Sequence, residues 1–407
     1  MKNKIFDLIE KERIRQERGI NLIASENYTY SDVLAVTGSI LTNKYAEGYP
    51  GKRYYSGMEY FDEIENHAIK LAKEIFGAEY VNVQPYSGTP ANLAVYFALL
   101  KPKDKIMSMA LDSGGHLSHG HKVTATGKFF KIIQYGVDKK TGILNMDEIE
   151  KMAITEKPKL LIAGFSAYSR NIDWKRFSQI AKKVGAYTLA DISHISGLVA
   201  SGVLENPVPH FDIVTTTTHK TLRGPRGAII MARKKYAKSL ARSVFPGIQG
   251  GPHENTIGAI ALTLEKAKTS EFKKYTKQIL ANAKTMAEIL SKNGFKIISG
   301  GTDNHLFLID LTKQKISGSE AEKLLEQADI FVNKNMIPYD SRKPLDPSGI
   351  RIGSSAITTR GMREKQAKII AELIVQILTK QKRPREVHKI VLELSAKFPI
   401  GYKPISL

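Results

Sequence analysis

The run Thr215-Thr216-Thr217-Thr218 delivers His219 and Lys220 to the end of a segment that opens with Phe211-Asp212-Ile213-Val214. A lysine that is partly withdrawn from water can lose its proton and act as a nucleophilic amine toward carbonyl groups. Most lysines stay solvated and do nothing of the kind, so Lys220 carries weight only with suitable company. Asp191 supplies some: it closes the apolar run Tyr187-Thr188-Leu189-Ala190 and is followed three residues later by His194. An aspartate after a strand often only caps the next helix. Beside a lysine, it can also hold a fixed negative charge against a protonated ring nitrogen. A third group precedes the helix-forming stretch Ala91 to Leu100: Gln84-Pro85-Tyr86-Ser87-Gly88-Thr89-Pro90. There Gly88 permits close backbone approach, Ser87 and Thr89 offer hydroxyls, and the free N–H groups of a helix start attract an anion. Pro90 suits the first turn, where its missing N–H is no loss. The same pattern also serves as a plain N-cap.

These groups need elements that bring them together. Residues 159–165 and 187–191 read as short buried strands, and between them Trp174, Phe177, Ile180, Ala181 and Val184 recur at helical intervals before Gly185 stops the helix. A strand-helix-strand unit implies parallel strands whose C-terminal ends share one edge, where ligands of open α/β sheets collect. Leu222 to Gly227 breaks the threonine strand, and Ala228 to Met231 starts another. A lysine, an aspartate and a phosphate cup on one edge are the protein parts that pyridoxal phosphate requires. Further on, residues 294–298 and 305–309 read as strands, and 361–379 as a helix with Ile369, Ile370, Leu373 and Ile377 on its apolar side. The organisation expected is an N-terminal arm over 1–19, a large sheet domain over 20–268 and a small domain over 269–407.

With 407 residues, 42% of them hydrophobic, the chain can bury a large core. It has no cysteine, which excludes disulfides and thiolate metal sites. The start, Met1 to Phe6, lacks the apolar core of a signal peptide, and no apolar run approaches the roughly 20 residues that cross a bilayer. A cytoplasmic enzyme is expected. The balance of 61 basic against 40 acidic residues leaves a net charge of +21. Residues 232–243 contain Arg233, Lys234, Lys235, Lys238 and Arg242 without one acid. Such a surface favours polyanions and non-specific nucleic-acid binding, although a solvated lysine-rich face is the simpler reading. His116, His119 and His121 admit a zinc site, but they sit in a glycine-bounded loop and would leave Lys220 and the phosphate cup unexplained, so no metal is expected.

Beyond these groups, the chain resembles serine hydroxymethyltransferases along almost its whole length. The resemblance is carried by Leu22-Ile23-Ala24-Ser25-Glu26-Asn27, by Leu41 through Tyr55 with its Tyr45-Ala46-Glu47-Gly48-Tyr49-Pro50-Gly51-Lys52-Arg53 core, and by Val83 through Gly88. Gly114-Gly115-His116-Leu117, the threonine run with Lys220, Gly250-Gly251-Pro252, Gly300 through His305, Asn333-Lys334-Asn335 and Ser348 through Gly353 continue it in order. The resemblance implies the fold type I, aspartate aminotransferase-like architecture: a mostly parallel sheet in a large domain plus a smaller α+β C-terminal domain. It implies Lys220 as the lysine that forms a Schiff base with pyridoxal 5'-phosphate and Asp191 as the partner of the pyridinium nitrogen. His116 resembles the histidine stacked on the ring, and Ser166 and His194 the donors near its phenolic oxygen. Ser87, Gly88, Thr89 and His219 match phosphate positions. Arg351 matches the arginine that takes the amino-acid carboxylate, with Ser25 beside it in the substrate set. Tyr45, Glu47, Tyr54 and Tyr55 fall in a segment that reaches the neighbouring subunit's site in the family, and Gly250 and Gly251 resemble residues donated across the same interface. Leu111, Gly115, Leu117 and Asn335 resemble contacts to folate. The catalytic set so implied is Lys220, Glu47, His219, Asp191 and Thr217.

Departures from the family pattern are modest. Thr89 stands where serine is frequent, Ser193 and Ser196 where small apolar residues are usual, and Ser354-Ser355 where Thr-Pro is usual. The N-terminal segment is short, so a reduced dimer-clasping arm is expected. The implied activity is reversible transfer of the hydroxymethyl group of L-serine to tetrahydrofolate in a homodimer with shared active sites. Two other readings remain: a folate-independent β-hydroxy amino acid aldolase using the same lysine, and a basic RNA-binding protein on the same scaffold.

Overall fold

Short, unbroken apolar or β-branched segments become the strands of a seven-stranded sheet in the computed structural model, which describes residues 4–403. In chain order the strands are β1 (Tyr80–Asn82), β2 (Lys105–Met109), β3 (Lys131–Tyr135), β4 (Leu160–Gly164), β5 (Tyr187–Asp191), β6 (Ile213–Thr217) and β7 (Ala228–Ala232). Their spatial order is β1-β7-β6-β5-β4-β2-β3. Strand β7 runs antiparallel to both its neighbours, and the other pairs are parallel. Every residue of β4, β6 and β7 is buried. That is the burial expected where helices cover both faces of a parallel sheet.

The crossover from β4 to β5 shows how local chemistry sets the register. The Asp173 side chain accepts the Arg176 N–H at 2.9 Å and starts the helix Trp174–Val184. Gly185, left-handed at φ 70°, ends it. The helix buries Trp174, Phe177, Ile180 and Ala181. Strand β5 then pairs with β4 so that Asp191 lies opposite Gly164. On the sheet, Ile106, Leu160, Ile162, Leu189, Ile213 and Ile230 meet Ala91, Ala94 and Val95 of the helix Gly88–Leu99 in one core.

The chain divides into two units. The seven-stranded sheet lies in the unit of Thr29–Ser166 and Asn171–Thr276, and the other unit comprises Met1–Tyr28, Ala167–Arg170 and Lys277–Leu407. The second unit holds an antiparallel sheet in the order Lys296–Ile297, Leu306–Asp310, Gly349–Gly353, Asn333–Asn335. Its core joins Phe307, Ile309, Ile350 and Ile352 to Ile370, Leu373 and Ile377 of the helix Glu364–Leu378, with Ile369 partly buried. That helix starts three residues later than the periodicity predicts, because Gly361 takes a left-handed φ of 83° after the short helix Ser355–Thr359. Ile20–Asn21 pairs in parallel with Ile330–Phe331, which ties the segment after the N-terminal helix Lys4–Arg18 to this same unit. Among the described residues, no helix is long and apolar enough to cross a membrane.

Two glycines separate conformational from steric demand. A Cβ on Gly185 meets nothing within 4 Å, whereas on Gly164 (φ +151°) it would stand 2.4 Å from the Asp191 carbonyl oxygen. Gly185→Ala should therefore cost about 1 kcal/mol, the ordinary left-handed penalty. Gly164→Ala should cost more than twice that and disturb Asp191 as well. Urea unfolding of both variants checks the ranking; equal losses would refute the close-packing argument.

Candidate active site

The C-terminal ends of β5 and β6 place Asp191 and Thr217 on one edge, with Lys220 three residues beyond. The Lys220 Nζ donates to Thr217 Oγ1 at 3.2 Å. Asp191 is buried, and four donors meet its carboxylate. Oδ2 accepts from Asn92 Nδ2 and His119 Nε2, each at 2.9 Å; Oδ1 accepts from the Ser193 N–H at 3.0 Å and the Ser193 hydroxyl at 2.6 Å. Burial pushes this carboxyl up, but the His119 bond and charge, with Asn92 and Ser193, outweigh it and hold the group far below the usual carboxylate range. Asp191 is thus a permanent anion at neutral pH.

The threonine run is buried, yet its hydroxyls are satisfied. Thr215 donates to Asn92 Oδ1 at 2.7 Å, which orients the amide so that its NH₂ faces Asp191. Thr218 donates to the Pro225 carbonyl at 2.6 Å and Thr217 to the Ser193 carbonyl at 3.4 Å. Asn92 sits on the helix Gly88–Leu99, so the same contacts draw the start of that helix to the site. Ser87 is its N-cap and makes no side-chain capping bond, which leaves the hydroxyl available. A Cβ on Gly88 would meet Thr217 Cγ2 at 2.8 Å, so only glycine fits this approach of helix start to strand end. Thr89 is exposed.

The neighbouring loops bring in the remaining groups of this unit. His194 is buried, and its carbonyl accepts from Thr221 Oγ1 at 2.9 Å. Ser196 donates to the Thr217 carbonyl at 3.3 Å. Among the described residues His219 Nδ1 is buried without a partner. Burial and the adjacent Lys220 lower the His219 imidazole to about 3, so the ring is neutral and can donate or accept one hydrogen bond. His116 Nδ1 accepts the Ser118 N–H at 3.1 Å and lies 2.8 Å from the Ser118 hydroxyl, which also accepts from Asn92. Ser166 N–H donates to the Gly114 carbonyl at 2.7 Å, which pins the loop of Leu111, Gly115 and Leu117. Leu117 is exposed, and Gly115 packs so tightly that a Cβ would reach the Met109 carbonyl at 2.1 Å.

A second cluster unites residues far apart in sequence. Tyr45 and Tyr55 stack at 5.5 Å, and Tyr54 lies 5.8 Å from the Phe245 ring. A Cβ on Gly250 would stand 3.3 Å from Glu47 Oε1, and one on Gly251 3.0 Å from the Tyr45 ring. The Tyr86 hydroxyl donates to the Gly251 carbonyl at 2.6 Å, and its N–H to Gln249 Oε1 at 3.1 Å. Tyr45 and Tyr54 are 64% and 76% exposed. No hydrogen bond or ion pair engages the Glu47 carboxylate among the described residues.

In the other unit, Arg351 lies mid-strand in Gly349–Gly353, buried, with Nε donating to Asn333 Oδ1 at 3.1 Å and Nη2 to Ser25 Oγ at 3.5 Å. Burial lowers its guanidinium to about 10, still charged at neutral pH. Asn335 lies on the adjacent strand and donates to the Met336 carbonyl at 2.6 Å.

Sequence reasoning missed Asn92 and gave His119 no role beyond a rejected zinc set, although both touch Asp191. The spacing held one clue for Asn92: four residues after Gly88, it lies one turn up the same helix face. The basic stretch behaves differently. Because β7 is reversed, Ala228 pairs with Thr217 at the active edge, and Ala232 pairs with Ile213 at the far end of β6. Arg233, Lys234 and Lys235 therefore sit at the opposite edge, about 13 Å away along five strand residues.

A buried anion aimed at one edge, an amine beside it, a glycine-lined helix start and an unpartnered buried imidazole suit a pyridinium ring with a phosphate. Strand order and site together define a pyridoxal-phosphate-dependent α/β protein of fold type I. A family model for serine hydroxymethyltransferase matches residues 1–374. A serine hydroxymethyltransferase of Desulfotalea psychrophila is 52% identical over 399 residues, covering 97% of this chain and 94% of its own length. That of Legionella pneumophila is 52% identical over 401 residues (97% and 96%), and that of Coprothermobacter proteolyticus 51% over 402 (98% and 97%). The chain belongs to the serine hydroxymethyltransferase family, enzymes that use pyridoxal 5'-phosphate and tetrahydrofolate.

Removing one donor from a buried carboxylate costs about 1.5–3 kcal/mol for a charged bond. His119→Ala is expected to weaken pyridoxal phosphate binding by roughly 10- to 100-fold, and Asn92→Ala by a similar factor. Cofactor titration followed by absorbance checks this; affinities within about twofold of wild type would remove both from the site.

Proposed function

We propose that this chain transfers the hydroxymethyl group of L-serine to tetrahydrofolate in a cytoplasmic homodimer, with the residues above in specific roles. The observation that carries the reading is the buried Asp191 carboxylate, met by four donors, sharing one sheet edge with the Lys220 amine. When bound, pyridoxal phosphate supplies a conjugated ring that takes up the electrons left on the amino-acid α-carbon when a bond there breaks. Asp191 keeps the ring nitrogen protonated through charge, and His119 and Asn92 keep Asp191 an acceptor. Lys220 holds the cofactor and displaces the product amine, with Thr217 orienting its Nζ. Ser87, Gly88, Thr89 and His219 bind the phosphate; His116 covers the ring, and Ser166 and His194 donate near its phenolic oxygen. Arg351 takes the substrate carboxylate with a planar fork that lysine could not match, supported by Ser25. Glu47, whose carboxylate is uncommitted, handles the proton on the serine side-chain oxygen. Leu111, Gly115, Leu117 and Asn335 bind the folate.

Exposed Tyr45, Tyr54 and Tyr55, beside Glu47, Gly250 and Gly251, support a surface that completes the site of a second copy. Mixing Lys220→Ala chains with Glu47→Gln chains should restore some turnover in heterodimers, because one site per dimer would then be whole. Demonstrated subunit exchange with no recovered activity would refute the sharing.

Borohydride reduction followed by peptide mapping tests the central assignment. A pyridoxyl group is expected on Lys220 alone, and Lys220→Arg should keep some cofactor affinity yet lose the covalent link and multiple turnovers. A pyridoxyl adduct on another lysine of active protein would overturn the assignment. The aldolase reading is separated by folate: turnover of serine that ignores tetrahydrofolate would favour it.

A further inference from the structure

Beneath the Glu47 segment lies a buried charge cluster that no step above uses. The Arg53 side chain is 3% exposed and makes four hydrogen bonds. Nε bonds Asp62 Oδ1 at 2.8 Å and Nη2 bonds Glu65 Oε2 at 2.7 Å. Nη1 donates to the carbonyls of Ala46 at 2.7 Å and Gly48 at 3.2 Å, the residues on either side of Glu47. Gln84 Nε2 strengthens the same grip, donating to the Gly48 carbonyl and to Glu65 Oε1, each at 2.9 Å. Glu254 approaches from the other direction. It is the first residue of the helix Glu254–Ala267, directly after Gly250-Gly251-Pro252-His253.

The Glu254 side chain is 0% exposed, its Oε1 lies 3.5 Å from Arg53 Nη2, and neither carboxyl oxygen has a hydrogen-bond partner among the described residues. Three carboxylates thus surround one guanidinium. Asp62, partly exposed, also accepts the Gly51 N–H at 2.7 Å, and Glu65 is bonded to Arg53 and Gln84. Glu254 alone has no hydrogen bond, only the 3.5 Å ion-pair contact with Arg53, and a buried anion so poorly supported is unfavourable. Burial, with the Glu65 charge beside it, pushes the Glu254 carboxyl up to about 8, against the pull of Arg53. His253, the residue before Glu254, stacks on Tyr86 at 4.2 Å, while Asp32 pairs with Lys266 and His67 with Glu265 about three turns up the helix.

We infer that Glu254 is a positioning residue for Glu47: as a neutral acid it closes the pocket around Arg53 without drawing the guanidinium off the Ala46 and Gly48 carbonyls. Ionised, it would compete for Arg53 and loosen the backbone that aims Glu47 beside Gly250. The inference rests on the proton role proposed for Glu47.

The test compares wild type, Glu254→Gln, Arg53→Lys and Glu47→Gln as holoenzymes. If the ionised form is unproductive, wild-type turnover at pH 9 should fall to about one-tenth of its pH 7 value, and Glu254→Gln, which stays neutral, should lose several-fold less. Stability gives a readout independent of activity. A carboxyl raised in the folded state costs stability as pH climbs from its unfolded value to its folded one. The melting temperature of wild type should therefore fall relative to Glu254→Gln between about pH 4.5 and pH 8 and run parallel above. Parallel curves throughout, in both turnover and melting, would overturn the inference. Arg53→Lys should lower turnover about tenfold or more, with no further loss when combined with Glu47→Gln. If Glu47→Gln lowers turnover and Arg53→Lys does not, the positioning fails and the proton role stands. If Glu47→Gln leaves turnover intact, the proton role itself fails.

Discussion

One buried anion governs the arrangement of the larger unit. Taking the Asp191 carboxylate out of water is tolerable only if both oxygens are met by good donors, and the donors come from three separate elements. Asn92 arrives on the helix Gly88–Leu99, His119 on the turn Leu117–His119, and Ser193 from the loop after β5. Each bond fixes the element that supplies it. The helix start that offers N–H groups to a phosphate is therefore held in register with the strand end that carries Lys220. Thr215 completes the lock by setting which way the Asn92 amide faces. Gly164 and Gly88 are the steric counterpart, since a methyl at either would strike the Asp191 carbonyl or Thr217.

Charge is distributed with the same economy. The site proper keeps an anion, a neutral buried imidazole at His219 and an amine, while the basic run after β7 is carried to the far edge by a single strand reversal. In the other unit Arg351 is buried on a central strand between Leu306–Asp310 and Asn333–Asn335, with Nε bonded to Asn333 and Nη2 to Ser25.

Periodicity and punctuation made much of the fold legible. The helix Trp174–Val184 runs between the bounds its apolar spacing and Gly185 predict, because both caps are local: an Asp173 side chain at one end and a left-handed glycine at the other. The parallel pairing of β4 and β5 likewise follows from the strand-helix-strand order. The helix predicted over 361–379 is shorter, since Gly361 belongs to the turn before it. Motif order identified the family, and Lys220, Thr217 and Asp191 do meet at one edge.

What the sequence could not contain was the set of partners that make those residues chemically particular. Asn92, His119 and Ser193 stand 99, 72 and 2 positions from Asp191, and nothing in the spacing of the first two announces that they share a carboxylate. Residue types and periodicity determined the elements, their caps and the catalytic candidates, because those depend on neighbours within a few turns. Tertiary packing alone decided which carboxyl is pulled down and which is pushed up. Asp191 and Glu254 are both buried acids, but four donors converge on the first and hold its carboxyl down, while the second has no hydrogen bond and burial pushes it up.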